Sequence, residues 1–470
     1  MTHHLTSILV ASSLVVAATS LADKQTPPAA APPRPFTLPS HHDVTLDNGA
    51  KITTIAYGTV PKTSVQLVLR GGNSVESDQQ VWLADLMGTS LGEGTRSKTA
   101  TQVAEAAAEM GGDLTIDVAA DNTTIGLEVL SEFAPRAIAL VADVVRNPAF
   151  PPGDVARVKA DLGRRLAIAR TQPAQLALEQ FVGALYPDHP YGRSFPSEPM
   201  LQGYTIDQVR DFYTAHIGAA RAHLYVAGRF DAAAVERAAR DSFGDWSRGA
   251  APTPVPTAPA AKPVLRVVDR PGAVQSTLIV GLPVVTPGSE DYVQLLVTDA
   301  LLGGSFGSRI TSNIREQKGY TYSPFSTVRT PERNARWSEQ ADVTTNVTGA
   351  SLTEIFKEIA RLRSEPPSDA ELHSIQSYLA GTFVLRNSSR AGIIQQLDFV
   401  DKHGLPDDYL RDFVQRIWAV KPADVQRIAA TYLDPKKMTI VVVGDRKQVD
   451  AQLKPWSSDA SGRTKAPSKR

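Results

Sequence analysis

The chain's 470 residues, 42% of them hydrophobic and 21% charged, suffice for cores in more than one domain and exclude an intrinsically disordered protein. Lys plus Arg and Asp plus Glu number 49 each, with no basic run of five, so there is no electrostatic footprint for nucleic acid or anionic lipid. The absence of cysteine excludes a disulfide framework and a lipid-anchor thiol.

Residues 1–22 read as a secretory signal peptide. The apolar stretch Ile8 to Ala18 is too short to span a bilayer, and Ser20-Leu21-Ala22 puts small residues where a signal peptidase accepts them. Two histidines and no Lys or Arg precede that stretch, and a plain apolar N-terminus is the alternative. Export, to the periplasm if the source is a Gram-negative bacterium, would leave a mature chain without a membrane span. Residues 23–40 are rich in Pro and Ala and read as an extended tether.

A first domain is expected over 41–246. Val44 to Ile52 reads as strand, Asn48-Gly49 turn and strand, and Thr63 to Leu69 as a further strand. Helical periodicity marks Trp82 to Leu91, Thr101 to Met110, Glu132 to Arg146 and Val155 to Arg170, while Asp113 to Ala119 and Thr123 to Leu130 alternate as strands. Thr205 with Gln208 has capping-box spacing ahead of a helix to His216; Ala222 to Gly228 then reads as strand and Ala232 to Phe243 as helix. The elements interleave without a regular parallel βαβ repeat.

Residues 247–263 carry five prolines and no apolar pattern, and read as an extended linker. In the second domain, 264–456, the order recurs: a strand over Gln275 to Val284, a helix over Tyr292 to Leu302, strands near Tyr320 to Val328 and Ala341 to Val347, and a long helix opened by a Ser368/Glu371 capping box. Thr205 to Trp246 and Lys421 to Trp456 both run helix, strand ending in Gly, helix, Trp, which points to a duplication. Residues 457–470 read as a disordered tail.

Gly303-Gly304 opens a turn into a short helix, Lys318-Gly319 ends it, and an aromatic strand follows, so Arg315 and Tyr322, seven residues apart, flank one helix-to-strand corner. On residue type alone, Arg315 reads equally as a surface cation, and Tyr322 as one aromatic of a half-buried strand with Tyr320 and Phe325. The two glycines read either as turn formers or as points where a substrate backbone comes close. Gly303-Gly304-Ser305-Phe306-Gly307 matches G-x-S-x-G, but a helix rather than a strand precedes it, and no Gly-Lys-Ser/Thr follows to make a phosphate loop.

This corner resembles the C-terminal half of pitrilysin/insulinase-type peptidases, closest to the processing-peptidase branch, and the resemblance extends from about Val44 to Trp456. It implies an α+β protein of two homologous domains, each a mainly antiparallel sheet packed with helices, forming a clamshell. In that family the first domain carries H-x-x-E-H on a helix, where histidines at i and i+4 share a face and the glutamate activates the metal's water; a distal Glu completes the ligands.

Here the frame is present, with Gly71-Gly72-Asn73 before and Gly92-Glu93-Gly94-Thr95 after, but Asp85, Gly88 and Thr89 stand at the His, Glu and His positions. Arg165, eight residues before Pro173, stands at the distal one. A catalytic zinc needs three protein ligands, so no cofactor is expected on this chain, and zinc is implied in a partner chain. The other histidines are scattered singly at 189, 216, 223, 373 and 403, or adjacent at 41 and 42.

In two-chain members of the family one chain bears the metal and the other the Arg/Tyr corner, and this sequence resembles the second kind. The resemblance implies a non-metal-binding subunit that binds peptide at Gly303 and Gly304 and supplies Arg315 and Tyr322 to the site of a zinc-bearing paralogous peptidase subunit. The other class is a catalytically inactive scaffold that kept the fold alone.

Overall fold

Two sheets, each apolar on both faces, organise the chain. The computed structural model describes residues 38–258 and 262–457, so the expected signal peptide, nearly all of the tether and the tail from 458 lie outside it. The first sheet is built from β1 (His41–Thr45), β2 (Lys51–Ala56), β3 (Lys62–Arg70), β4 (Leu114–Val118), β5 (Asn122–Leu130) and β6 (Ala222–Gly228), in the order β1-β2-β6-β3-β5-β4. The second contains β7 (Leu265–Asp269), β8 (Gln275–Pro283), β9 (Phe325–Arg329), β10 (Arg336–Thr344) and β11 (Thr439–Gly444), in the order β7-β11-β8-β10-β9. Without β1 the two orders match strand for strand. In each, one central strand lies parallel to a neighbour (β6 to β2, β11 to β7) and every other pairing is antiparallel. This is the expected α+β architecture of two homologous sheet-and-helix halves.

The period-two alternation of the strands sends side chains to two cores. Val65, Leu67, Leu69, Leu224 and Val226 face the first half's own helices, while Val68, Tyr225 and Ala227 point the other way, onto Ile393 and Ile394. Those isoleucines lie on helix Arg390–His403 of the second half. The exchange is reciprocal: in the second sheet Val280, Ile440 and Val442 meet local helices, while Ile279, Val441 and Val443 pack on Phe181, Val182 and Leu185. These belong to helix Pro173–Leu185 of the first half. Gly281 in β8 makes room for the Phe181 ring, since a Cβ there would lie 2.8 Å from Cζ.

Polar contacts fasten the same exchange. Asp401, on helix Arg390–His403, accepts from Arg70 at 2.7 Å and Lys51 at 2.8 Å and faces His223 Nδ1 at 3.5 Å. Burial opposes ionisation there, but His223, Arg70 and Lys51 prevail and hold the Asp401 carboxyl far below the usual carboxylate range. Residues 247–258 of the linker are extended and pinned. Val255 is buried in the Phe181 cluster, and Pro256 O accepts from Asn334 Nδ2 at 3.1 Å.

Several elements depart from expectation. The Tyr292 to Leu302 helix is α-helical only to Asp299 and continues as a π-helical turn, Ala300–Gly304. The strand expected from Tyr320 begins at Phe325, because Tyr320 to Pro324 form a loop tied to the end of β10 by Thr321 Oγ1 to Asp342 O, 2.7 Å. The strand expected over Ala341 to Val347 is β10, which starts five residues earlier and gives way to a 3-10 turn at Thr345. Thr205 and Gln208 make the reciprocal capping box, whereas only half of the Ser368/Glu371 box forms, because Glu371 instead takes Arg309 in a bidentate pair at 2.7 and 2.9 Å.

Phe181 is fully buried between elements of both halves. Phe181→Ala is expected to lower unfolding free energy by about 3 to 5 kcal/mol in urea titration. A loss below about 1 kcal/mol would show that the crossing helix does not hold the halves together.

Candidate functional site

Helix Leu83–Leu91 carries the positions where the resemblance places a metal motif. Its first turn is capped by a residue the sequence reading missed. Glu76 accepts from Ala84 N at 2.8 Å, Trp82 N at 3.2 Å and Asn73 Nδ2 at 3.3 Å, and burial pushes its carboxyl up to about 8. Trp82 takes φ 68°, a costly conformation for an aromatic residue, and its indole N–H donates to Ser194 O at 3.0 Å.

The Arg165 guanidinium, from helix Pro152–Ala169, stacks over that indole at 4.7 Å and forms an ion pair with Asp85, whose other oxygen accepts from Asn73 Nδ2 at 2.7 Å. Gly88 is buried with Val118 of β4 directly against it, so that any Cβ would collide with Val118 Cγ2. Thr89 is exposed. Among the described residues no group of three or more His, Asp or Glu is placed to hold a metal ion. The donor set does not fit zinc: one carboxylate is already neutralised by a cation, a glycine has no room for a longer side chain, and a neutral hydroxyl is turned outward.

The second constellation lies in the other half. The stretch Thr311–Gln317 is π-helical, so its bonds run five residues, as in Lys318 N to Asn313 O at 3.0 Å. Ile310 and Ile314 anchor it in the core, and Asn313 Nδ2 donates to Glu354 at 2.9 Å and Glu358 at 2.7 Å. Gly319, at φ +65°, then reverses the chain.

Arg315 and Tyr322 are thereby brought together: the guanidinium lies 4.9 Å from the Tyr322 ring centroid and 4.5 Å from that of Phe306, a residue not singled out from sequence. Tyr322 is 78% and Phe306 71% exposed. Two rings therefore pack on the guanidinium and leave its edge to donate. Nε meets Glu316 at 3.2 Å, and the two Nη groups donate no hydrogen bond among the described residues.

Gly303 and Gly304 rest on buried carboxyls. A Cβ on Gly303 would lie 2.5 Å from Glu339 Oε2 and 2.7 Å from Ser326 Oγ, and one on Gly304 2.7 Å from Asp299 Oδ2. Asp299 Oδ1 accepts from Ser326 Oγ at 2.5 Å and Trp337 Nε1 at 2.8 Å, and burial pushes its carboxyl up to about 6. Glu339 is fully buried with neither oxygen hydrogen-bonded among the described residues; burial, and then the neighbouring Asp299, raise it well above the usual range. Close approach of the turn to these side chains is what requires glycine here.

The fold is that of a peptidase-type scaffold, and comparison with known proteins agrees. Residues 51–197 match the insulinase family (peptidase family M16) and residues 203–379 the peptidase M16 inactive domain. The chain belongs to the insulinase family. It is 26% identical over 377 residues to an uncharacterized zinc protease of Mycobacterium tuberculosis (strain ATCC 25618 / H37Rv), covering 79% of this chain and 82% of the relative. Over 280 residues it is 25% identical to an uncharacterized zinc protease of Rickettsia bellii (strain RML369-C), covering 59% and 67%.

Among solved structures, the peptidase M16 inactive domain from Pseudomonas fluorescens superposes with a TM-score of 0.80 at 23% identity, covering 86% of this chain and 98% of that one. A protease from Helicobacter pylori gives 0.80 at 19%, covering 87% and 100%. These structures bear on the fold alone. No helix among the described residues is long and apolar enough to cross a membrane.

Glu339 supplies a pH test. Its folded-state value lies above the unfolded one, so the folded chain keeps a proton that the unfolded chain has released, and stability falls as pH rises from the unfolded value toward the folded one. Glu339→Gln is expected to flatten that decline as pH rises above the ordinary carboxylate range, read from urea midpoints. Equal slopes for the two proteins would show that Glu339 is ionised in the fold.

Proposed function

We propose that this chain is the non-metal-binding subunit of a two-chain zinc peptidase, binding peptide substrate and lending Arg315 and Tyr322 to the site of a zinc-bearing paralogous subunit. The observation that carries the reading is the partly buried Arg315 guanidinium, held between the exposed rings of Phe306 and Tyr322 with its Nη donors unused among the described residues. A planar fork held this way suits a peptide carbonyl, and the Tyr322 hydroxyl suits an oxyanion developing beside it, a contribution of about 3 kcal/mol. The Arg165–Asp85 pair supports placing the hydrolytic centre in the partner, in contrast to the zinc proteases this chain is similar to. Gly303 and Gly304 support the subunit role by shaping the turn ahead of Arg315; Gly303 is buried, and only Gly304 has surface to offer a substrate backbone. In this reading both chains are exported, to the periplasm if the source is Gram-negative.

The Nε contact with Glu316 favours a second reading, a peptidase-like scaffold in which Arg315 merely ties down its own turn. Reconstitution separates the two. The purified chain alone is expected to cleave no peptide, and the mixture with its zinc-bearing partner to do so. Tyr322→Phe is expected to lower the pair's turnover about a hundredfold while the complex still co-elutes in gel filtration. Turnover unchanged in both Tyr322→Phe and Arg315→Ala would establish the scaffold instead.

A further inference from the structure

A cavity of about 370 Å³ lies in the second half, walled by helices Tyr292–Asp299, Asp369–Arg386, Arg390–His403 and Phe413–Ala419 and by strand β9. That volume is in the range of small-molecule sites. Phe383, Phe399, Phe413 and Leu410 supply apolar walls.

Of the polar side chains that line the cavity, Asp299, Arg386 and Gln396 make no hydrogen bond with one another. Asp299 is only 8% exposed. Its Oδ1 is engaged by Ser326 and Trp337, while Oδ2 accepts no hydrogen bond among the described residues. The Gln396 amide and the Arg386 guanidinium, the latter on an exposed residue, likewise show no side-chain partner there. A carboxyl largely withdrawn from water, with one oxygen engaged and the other left open, gains from a donor placed in the cavity.

We propose that this cavity binds a compact apolar molecule bearing one primary ammonium group, with the ammonium on Asp299 Oδ2 and the apolar body among Phe383, Phe399 and Phe413. Arg386, at the exposed side, sets the rest of the ligand's chemistry. Its charge repels a second cation, so diamines are excluded and the far end of the ligand is neutral or anionic; the Gln396 amide serves a neutral polar substituent. Nothing in the proposal depends on Arg315, Tyr322 or a partner chain.

The test is calorimetric titration of the whole chain with 2-phenylethylamine, its neutral isostere 2-phenylethanol, and cadaverine. The amine is expected to bind one per chain and about tenfold more tightly than the alcohol, and cadaverine not to bind. Asp299→Asn keeps an acceptor for Ser326 and Trp337 and is expected to bring amine and alcohol to equal affinity. Equal binding of amine and alcohol by the unsubstituted chain, which requires no variant to fold, would overturn the proposal. So would no saturable binding of the amine at millimolar concentration, tight binding of cadaverine, or an amine affinity unchanged in Asp299→Asn.

Discussion

Neither sheet can be covered by the helices of its own half. The central strands β6 and β11 are buried along their entire length, so each sheet presents a second apolar face that must leave water. Helix Pro173–Leu185 and helix Arg390–His403 meet that demand by crossing reciprocally, and the rest of the architecture follows from the crossing. It draws Arg70, Lys51 and His223 onto Asp401, and it brings Val255 of the linker into the same cluster as Phe181. A duplicated chain thus folds with two cores shared across its halves.

On that frame the two halves have diverged in chemistry. In the first, Asp85, Arg165 and Trp82 form a closed ion pair and stack, and Val118 fills the space beside Gly88. The half-exposed pair adds little stability. Its consequence is electrostatic, since a fixed guanidinium where the family's distal carboxylate would stand repels a divalent cation. In the second half, rigid elements do the opposite: a core-anchored π-turn and a pinned loop hold Arg315 and Tyr322 together, with the Arg315 Nη groups and the Tyr322 hydroxyl donating to no other side chain among the described residues. Ionisable side chains are buried with incomplete hydrogen bonding beneath the adjacent Gly303-Gly304 turn, an arrangement that contributes nothing to stability on its own.

Much of this was legible in the sequence because the signals were local. Ala222 to Gly228 is apolar on both faces and reads as a buried strand, the Asn48-Gly49 turn has the residues its backbone demands, and the Arg315–Tyr322 spacing shows without a structure. What remained hidden depends on partners distant in the chain. Helix Arg390–His403 buries chiefly Ile393, Ile394 and Val400 in an otherwise polar stretch, too few to mark a face. The π-turns leave residue types unchanged and alter only hydrogen-bond reach. Glu339 broke the apolar pattern of β10, obscuring the strand's first half, and Glu76 and Phe306 gained roles only from neighbours that folding supplies.

The proposed subunit role depends most directly on the first half holding no zinc. The chain, purified and incubated with excess zinc, would be dialysed against metal-free buffer and its metal measured by mass spectrometry. Far less than stoichiometric zinc is expected, because Asp85 is already paired and no second or third ligand is placed beside it among the described residues. One tightly retained zinc ion per chain, lost in Asp85→Ala, would contradict it.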